Sequence, residues 1–86
     1  MRRLTILYFA SVREAVGVDQ EQCDLPIDVA TPRALIDWLS ARDPRHAAAF
    51  ADLGRLRVAI DQQLADLDAA IGQATEIAFF PPVTGG

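Results

Sequence analysis

The chain has no lysine; all eight of its basic residues are arginines. A guanidinium stays protonated, so no side chain here can form a Schiff base or serve as an amine general base. Cys23 is the single cysteine and His46 the single histidine. An intrachain disulfide and a Cys/His zinc set are both excluded, and a reducing compartment is expected. Long apolar runs are missing too, since nothing approaches the roughly 20 residues of a membrane-spanning helix. The opening MRRLTILYFASVRE places two arginines before a short apolar run, but Arg13 and Glu14 follow where a leader would carry its cleavage site. It reads as a strand, and a cytoplasmic location is expected from the missing targeting signals. Basic charge is in deficit, 12 acidic residues against 8 basic for a net −4. That disfavours nucleic acid and anionic membrane as partners and favours a partner with a basic surface.

What is present is the composition of an ordinary globular domain, 51% hydrophobic and 23% charged over 86 residues. A domain of that size has little room for a deep catalytic pocket, so a self-contained enzyme is disfavoured. No linker, low-complexity stretch or internal repeat is visible, which leaves one domain over 1–80 and a mobile tail over 81–86.

Residues 4–10, LTILYFA, are rich in β-forming types and apolar at odd and even positions alike, the pattern of a central strand. A helical turn or two over SVREAVGV should end at Gly17, and Gln20 to Leu25 should return as a second strand. Thr31 before Pro32 is a helix start, with a hydroxyl to cap and a proline whose missing N–H costs nothing at the first position. That helix should run to about Arg42, with Leu35, Ile36, Trp38 and Leu39 as its apolar stripe. Asp43 with Pro44 repeats the signal for a second helix through Phe50 to about Leu53. Arg57 to Ile60 and Leu64 to Leu67 read as short strands around a turn at residues 61–63. Glu76 to Phe80 is the last strand, ended by Pro81 and Pro82.

This order is α+β, a mixed sheet with its helices on one face. Strand parity puts Leu4, Ile6 and Tyr8 opposite Leu7 and Phe9, and Ile77 and Phe79 opposite Phe80, so both faces carry apolar side chains. The helices can cover only one of them. Either loops cover the second face or a partner docks there, and a partner surface around Phe9 and Phe80 is the expectation.

Beyond the prolines stand Val83, Thr84, Gly85 and Gly86. Extended at roughly 3.3 Å per residue, the stretch from Pro81 spans about 20 Å, enough to enter another protein's active site. Two glycines make its leading end as thin as a polypeptide can be. A C-terminal carboxylate, with a pKa near about 3.5, is ionised and a poor electrophile until converted into an ester with a good leaving group. Adenylation by ATP supplies one, and a sulfur nucleophile would then leave a thiocarboxylate.

LYFASVREAVG at 7–17, TPRALIDWL at 31–39, RVAIDQQL at 57–64 and, above all, EIAFFPPVTGG at 76–86 carry a resemblance over nearly the whole chain. The sequence resembles the small, sulfur-carrying subunits of molybdopterin synthase, β-grasp proteins of the ubiquitin-like superfamily. The resemblance implies that Gly86 is adenylated by a partner activating enzyme and receives sulfur from a donor protein as a C-terminal thiocarboxylate. Inside the large synthase subunit that sulfur passes to cyclic pyranopterin monophosphate, and two transfers build the molybdopterin dithiolene. It further implies a heterotetramer, no tightly bound cofactor, ATP used only by the activating enzyme, and catalytic lysines on the large subunit, leaving this chain non-catalytic alone. By position, Phe9, Leu64 and Phe80 match apolar contacts to the large subunit and Arg13 a partner-facing charge. Pro81, Pro82, Val83, Thr84 and Gly85 match the inserted tail, and Gly86 its reactive end. The alternatives are a sulfur carrier for thiamine thiazole synthesis and a ubiquitin-like modifier or interaction module.

The chain departs from that family at Asp61, where Asn is frequent, and at Gln73, Ala74 and Thr75, where a Gly-containing acidic turn is usual; Gly72 lies just upstream. Other residues carry plainer expectations. Cys23 reads as a small buried hydrophobe, Trp38 as a side chain of the core or its edge, and His46 as a surface position without ligand companions. Asp52, Asp61, Asp66 and Asp68 lack the spacing of a calcium loop and read as solvated acids, steering of a basic partner being the weaker alternative; no metal site is expected.

Overall fold

The computed structural model describes residues 2–82. In chain order the elements are β1 (Arg2–Tyr8), α1 (Ala10–Val16), β2 (Gln20–Leu25), α2 (Pro32–Arg42), α3 (Pro44–Ala49), a 3-10 turn (Leu53–Arg55), β3 (Arg57–Ile60), β4 (Gln63–Ala65) and β5 (Glu76–Phe80). The strands form one sheet in the order β2-β1-β5-β3-β4. β1 and β5 run parallel and the other pairs antiparallel, so the sheet is mixed. This is the α+β arrangement expected from the element order.

Both helix starts work through the predicted side chains. Thr31 Oγ1 accepts the Ala34 N–H at 3.1 Å, and Asp43 Oδ1 accepts the Arg45 N–H at 2.7 Å, each ahead of a proline at the first helical position. Gly17 ends α1 at φ 95°, a left-handed conformation that glycine adopts without cost, and its N–H donates to Arg13 O at 2.8 Å.

The core lies between the sheet and α2. Leu4, Ile6, Tyr8, Val58, Ile77 and Phe79 of the sheet meet Leu35, Ile36 and Leu39 of α2 and Phe50 beyond α3, all of them buried. Each fully buried aliphatic or aromatic side chain of this kind contributes about 1.5–3 kcal/mol. Trp38 packs on the margin of this core with the Arg42 guanidinium 4.4 Å above its ring, and Cys23 is buried, as expected of both.

Several boundaries differ from the sequence reading. β1 ends at Tyr8 because Phe9 is already the N-cap of α1, and Ala10 turns the chain at φ 53°. α3 stops at Ala49 rather than near Leu53, since Phe50 drops into the core against Phe79 with ring centroids 5.0 Å apart. Asp52 then caps a separate 3-10 turn, its Oδ1 accepting the Gly54 N–H at 3.1 Å. β4 is Gln63–Ala65, because Asp61 and Gln62 at φ 47° and 69° form a two-residue hairpin turn. Asp66 ends it by accepting the Asp68 N–H at 2.9 Å.

The acids read as solvated are therefore in local use. Asp61 Oδ1 accepts the N–H groups of Thr75 at 3.0 Å and Glu76 at 3.1 Å, clamping the β3–β4 hairpin to the start of β5. Asp68 forms a two-pronged pair with Arg33 at 2.7 and 3.2 Å, which holds its carboxyl below the usual range. The turn before β5 is built on Gly72 at φ 60°, with the Ala74 N–H donating to Ile71 O at 3.1 Å.

Candidate functional site

Register assigns the two faces. On the covered face Ile77 pairs with Ile6 and Ile60, and Phe79 with Tyr8 and Val58. On the other, Leu7 pairs with Ala78, Ala78 with Ala59, and Ala59 with Leu64, an apolar band crossing β1, β5, β3 and β4 in that order. Phe80 continues it along β5 and pairs with Arg57. Of these residues only Ala78 is buried; the rest are half-buried or exposed, with Leu64 at 74%. Elsewhere on this face the side chains are polar, including Gln20 and Gln22 of β2 and an Arg3–Asp24 ion pair at 3.6 Å.

Phe9 reaches the rim of the band by a different route. Its N–H donates to Phe79 O at 3.1 Å as though β1 continued, but Ala10 turns away and leaves the ring 46% exposed. A non-glycine residue at positive φ is uncommon, and here it lets a large aromatic stand in solvent beside a strand end. The structure thus brings Phe9, Leu64 and Phe80 to one side of the sheet, Phe9 and Phe80 at the same strand ends and Leu64 on the β4 edge, level with Ala78. Arg13 is exposed on α1, immediately beyond that rim.

The root of the tail lies at the same end. Pro81 and Pro82 are half-buried, and Pro81 borders a hollow of about 290 Å³ between α1 and the α3 end, where Ser11, Ala15 and Ala48 meet Arg55. Val83, Thr84, Gly85 and Gly86 lie outside the described residues. A larger groove of about 540 Å³ runs beneath the β4 edge, with Leu64 and Arg57 at its lip and Leu56, Val58 and Leu67 along its wall.

Behind the apolar face is a polar cluster that sequence reading missed. The Tyr8 hydroxyl donates to Glu21 Oε2 at 2.8 Å, and His46 Nε2 lies 2.7 Å from the same oxygen. An ionised carboxylate only accepts, so Nε2 is the ring's donor. Nδ1 is left without a hydrogen-bond partner among the described residues, 3.9 Å from Asp43 Oδ2. Burial works to raise the Glu21 carboxyl, but the hydrogen bonds from His46 and Tyr8 outweigh it and hold the group below the usual carboxylate range. Burial first, then Glu21, pushes the Tyr8 phenol well up. His46 is thus buried and bonded, not a surface position, because the first turn of α3 faces the β1–β2 edge. The available signal was parity, since Glu21 shares a strand face with Cys23 and Leu25, and an acid on a buried face requires a partner.

Among the described residues no group of three or more His, Cys, Asp and Glu side chains is placed to hold a metal ion, and no helix is long and apolar enough to cross a membrane. The described part of the chain presents an exposed apolar band, with the root of the tail at the Phe80 end of it.

Residues 6–86 match the ThiS family. Over 83 residues the chain is 46% identical to the molybdopterin synthase sulfur carrier subunit of Haemophilus influenzae, an alignment covering 96% of this chain and 99% of the relative. The subunit of that name from Escherichia coli is 41% identical with the same coverage. Among solved structures, SAMP1 from Haloferax volcanii superposes with a TM-score of 0.74 at 29% identity, covering 98% of this chain and 99% of that one. With its mixed five-stranded sheet and its helices on one face, the chain is a ubiquitin-like β-grasp protein and belongs to the ThiS family.

Proposed function

We propose that this chain is a sulfur carrier of molybdenum cofactor biosynthesis and acts as the small subunit of molybdopterin synthase. The observation that carries the reading is identity above 40% over nearly the full length of two relatives that bear that name. An exposed apolar band ending beside the tail root supports it, because a carrier must hold its partner close to the point where its reactive end departs.

In this reading residues 1–80 form the docking body and 81–86 the delivery arm. The Gly86 carboxylate attacks the α-phosphorus of ATP on an activating enzyme, and pyrophosphate leaves. A sulfide-level donor then attacks the acyl carbon and expels AMP, leaving the thiocarboxylate. Glycine at that position carries no Cβ to obstruct either attack. Phe9, Leu64 and Phe80 seat the body on the large subunit, Arg13 supplies a charge at the rim, and Pro81 to Gly85 thread the arm toward cyclic pyranopterin monophosphate. The lysines of the transfer chemistry come from the large subunit, as this chain has none.

Intact-mass analysis after incubation with ATP, a molybdopterin synthase activating enzyme and a sulfide donor tests the reading. Exchange of one oxygen for sulfur at Gly86 is expected, followed by its loss to cyclic pyranopterin monophosphate when the large subunit is added. An unchanged mass overturns it. Charging that discharges only to thiazole synthase supports the thiamine carrier instead, and isopeptide conjugates on lysines of other proteins support a modifier.

A further inference from the structure

Among the described strand residues, Arg57 is the charged side chain set within the apolar band of the open face. It pairs in register with Phe80, the last residue of β5, and its neighbours on that face are Ala59 on the same strand and Leu64 on β4. Apart from Asp66, which follows β4, the other described charges of the face stand away from it. Arg3 and Asp24 neutralise each other on the β1–β2 side, and Glu76 begins β5 at its opposite end. No carboxylate of the described residues lies within ion-pair distance of Arg57. Among the described residues its side chain makes one hydrogen bond, Nη1 donating to Leu56 O at 3.0 Å, and most of its five N–H donors find no acceptor there. Asp66 borders the same β4 groove, where its Oδ1 accepts the Asp68 N–H at 2.9 Å, and it forms no ion pair with Arg57.

A partner that covers Phe80 and Leu64 must also cover Arg57. An unpaired guanidinium removed from water loses hydration that apolar contact cannot return, so a compatible partner has to present an acceptor there. We infer that the large subunit meets Arg57 with a carboxylate, seated over the lip of the β4 groove. The inference rests on the docking proposed above and adds the chemistry of the contact. It inverts the global charge pattern, because a chain of net charge −4 calls for a mostly basic partner surface. One acid opposite Arg57 within that surface orients the body so that Phe80 and the following prolines point into the partner.

The test measures binding of the full chain to purified molybdopterin synthase large subunit by calorimetry at two salt concentrations. Arg57→Glu is expected to weaken Kd about thirtyfold or more, and Arg57→Leu about tenfold because it leaves the partner's acid unpaired. Arg57→Lys restores part of the loss, and the salt dependence of the wild type falls in the leucine variant. Arg57 is exposed, so the variants should fold, and thermal melts check this. Binding of Arg57→Glu within twofold of wild type overturns the inference while leaving the docking proposal standing. Failure of the wild type to bind removes both. The series is repeated in a chain lacking residues 83–86. If the effect of Arg57→Glu disappears there, Arg57 serves the chain's own terminal carboxylate and the inference is overturned.

Discussion

The N–H of Phe9 donates to the carbonyl of Phe79 at 3.1 Å, joining a residue outside β1 to the last turn of the β5 ladder. That bond fixes the exposed Phe9 ring next to Phe80 at the place where the tail begins. A buried aromatic and an exposed one are thus adjacent through backbone alone, so core stability and the exposed surface can be altered separately.

Leu64→Asp should leave the fold almost unchanged, because its side chain is 74% exposed; a shift within about 0.5 kcal/mol is expected by urea unfolding, and Phe9→Asp, at a ring 46% exposed, should cost no more than about 1–2 kcal/mol. The same variants should weaken binding to the large subunit by tenfold or more, read by calorimetry. A stable variant with undiminished binding removes that residue from the docking face.

Phe79→Ala should behave in the opposite way. The ring is fully buried and packs on Tyr8 at 6.3 Å and Phe50 at 5.0 Å, so its removal should cost about 3–5 kcal/mol in equilibrium unfolding. A cost below about 1 kcal/mol would mean that the core is not organised around this ring.

Asp61→Ala should destabilise the chain by about 1–3 kcal/mol, since the Thr75 and Glu76 N–H groups lose their shared acceptor and alanine is strained at φ 47°. Asp61→Asn keeps an oxygen acceptor and tolerates the left-handed conformation, so it should cost much less. Equal losses in the two variants would show that the clamp does not depend on the side-chain oxygen.

The Glu21 cluster predicts a pH dependence with a definite sign. The folded-state carboxyl is held below its ordinary range, so its stabilising share is present above the unfolded value and is lost as pH falls through the folded one. Stability of the wild type should therefore decline on acidification below about pH 4.5, and Glu21→Gln should flatten that part of the curve. The Tyr8 phenol is raised, so its share is present below the unfolded value and is lost as pH rises beyond about 10. Urea unfolding between pH 3 and 11 reads both limbs; an unaltered acid limb in Glu21→Gln would assign it to other carboxylates.

Much of this molecule was legible in its residues. Thr31-Pro32 and Asp43-Pro44 act locally, a side-chain oxygen and a fixed φ within a few residues of the helix they start, so those starts appear where they were expected. Strand alternation likewise separates Phe79 from Phe80 without reference to any other element. The α3 boundary was decided at long range, where Phe50 finds Phe79, whereas β1 ends because Phe9 caps α1 and Ala10 turns the chain at φ 53°, a conformation that alanine does not announce.

By itself the amino-acid order determined the element sequence, the two-faced apolar strands and the absence of lysine chemistry, because each depends on residue type and on spacings of a few positions. Only the tertiary structure decided that Glu21, Tyr8 and His46 share one oxygen, that Asp61 clamps the start of β5, and that Arg57 stands beside Phe80 without a carboxylate among the described residues. Those contacts join residues from different elements, and the free energy of burying polar groups depends on which neighbours the folded chain brings within hydrogen-bond reach.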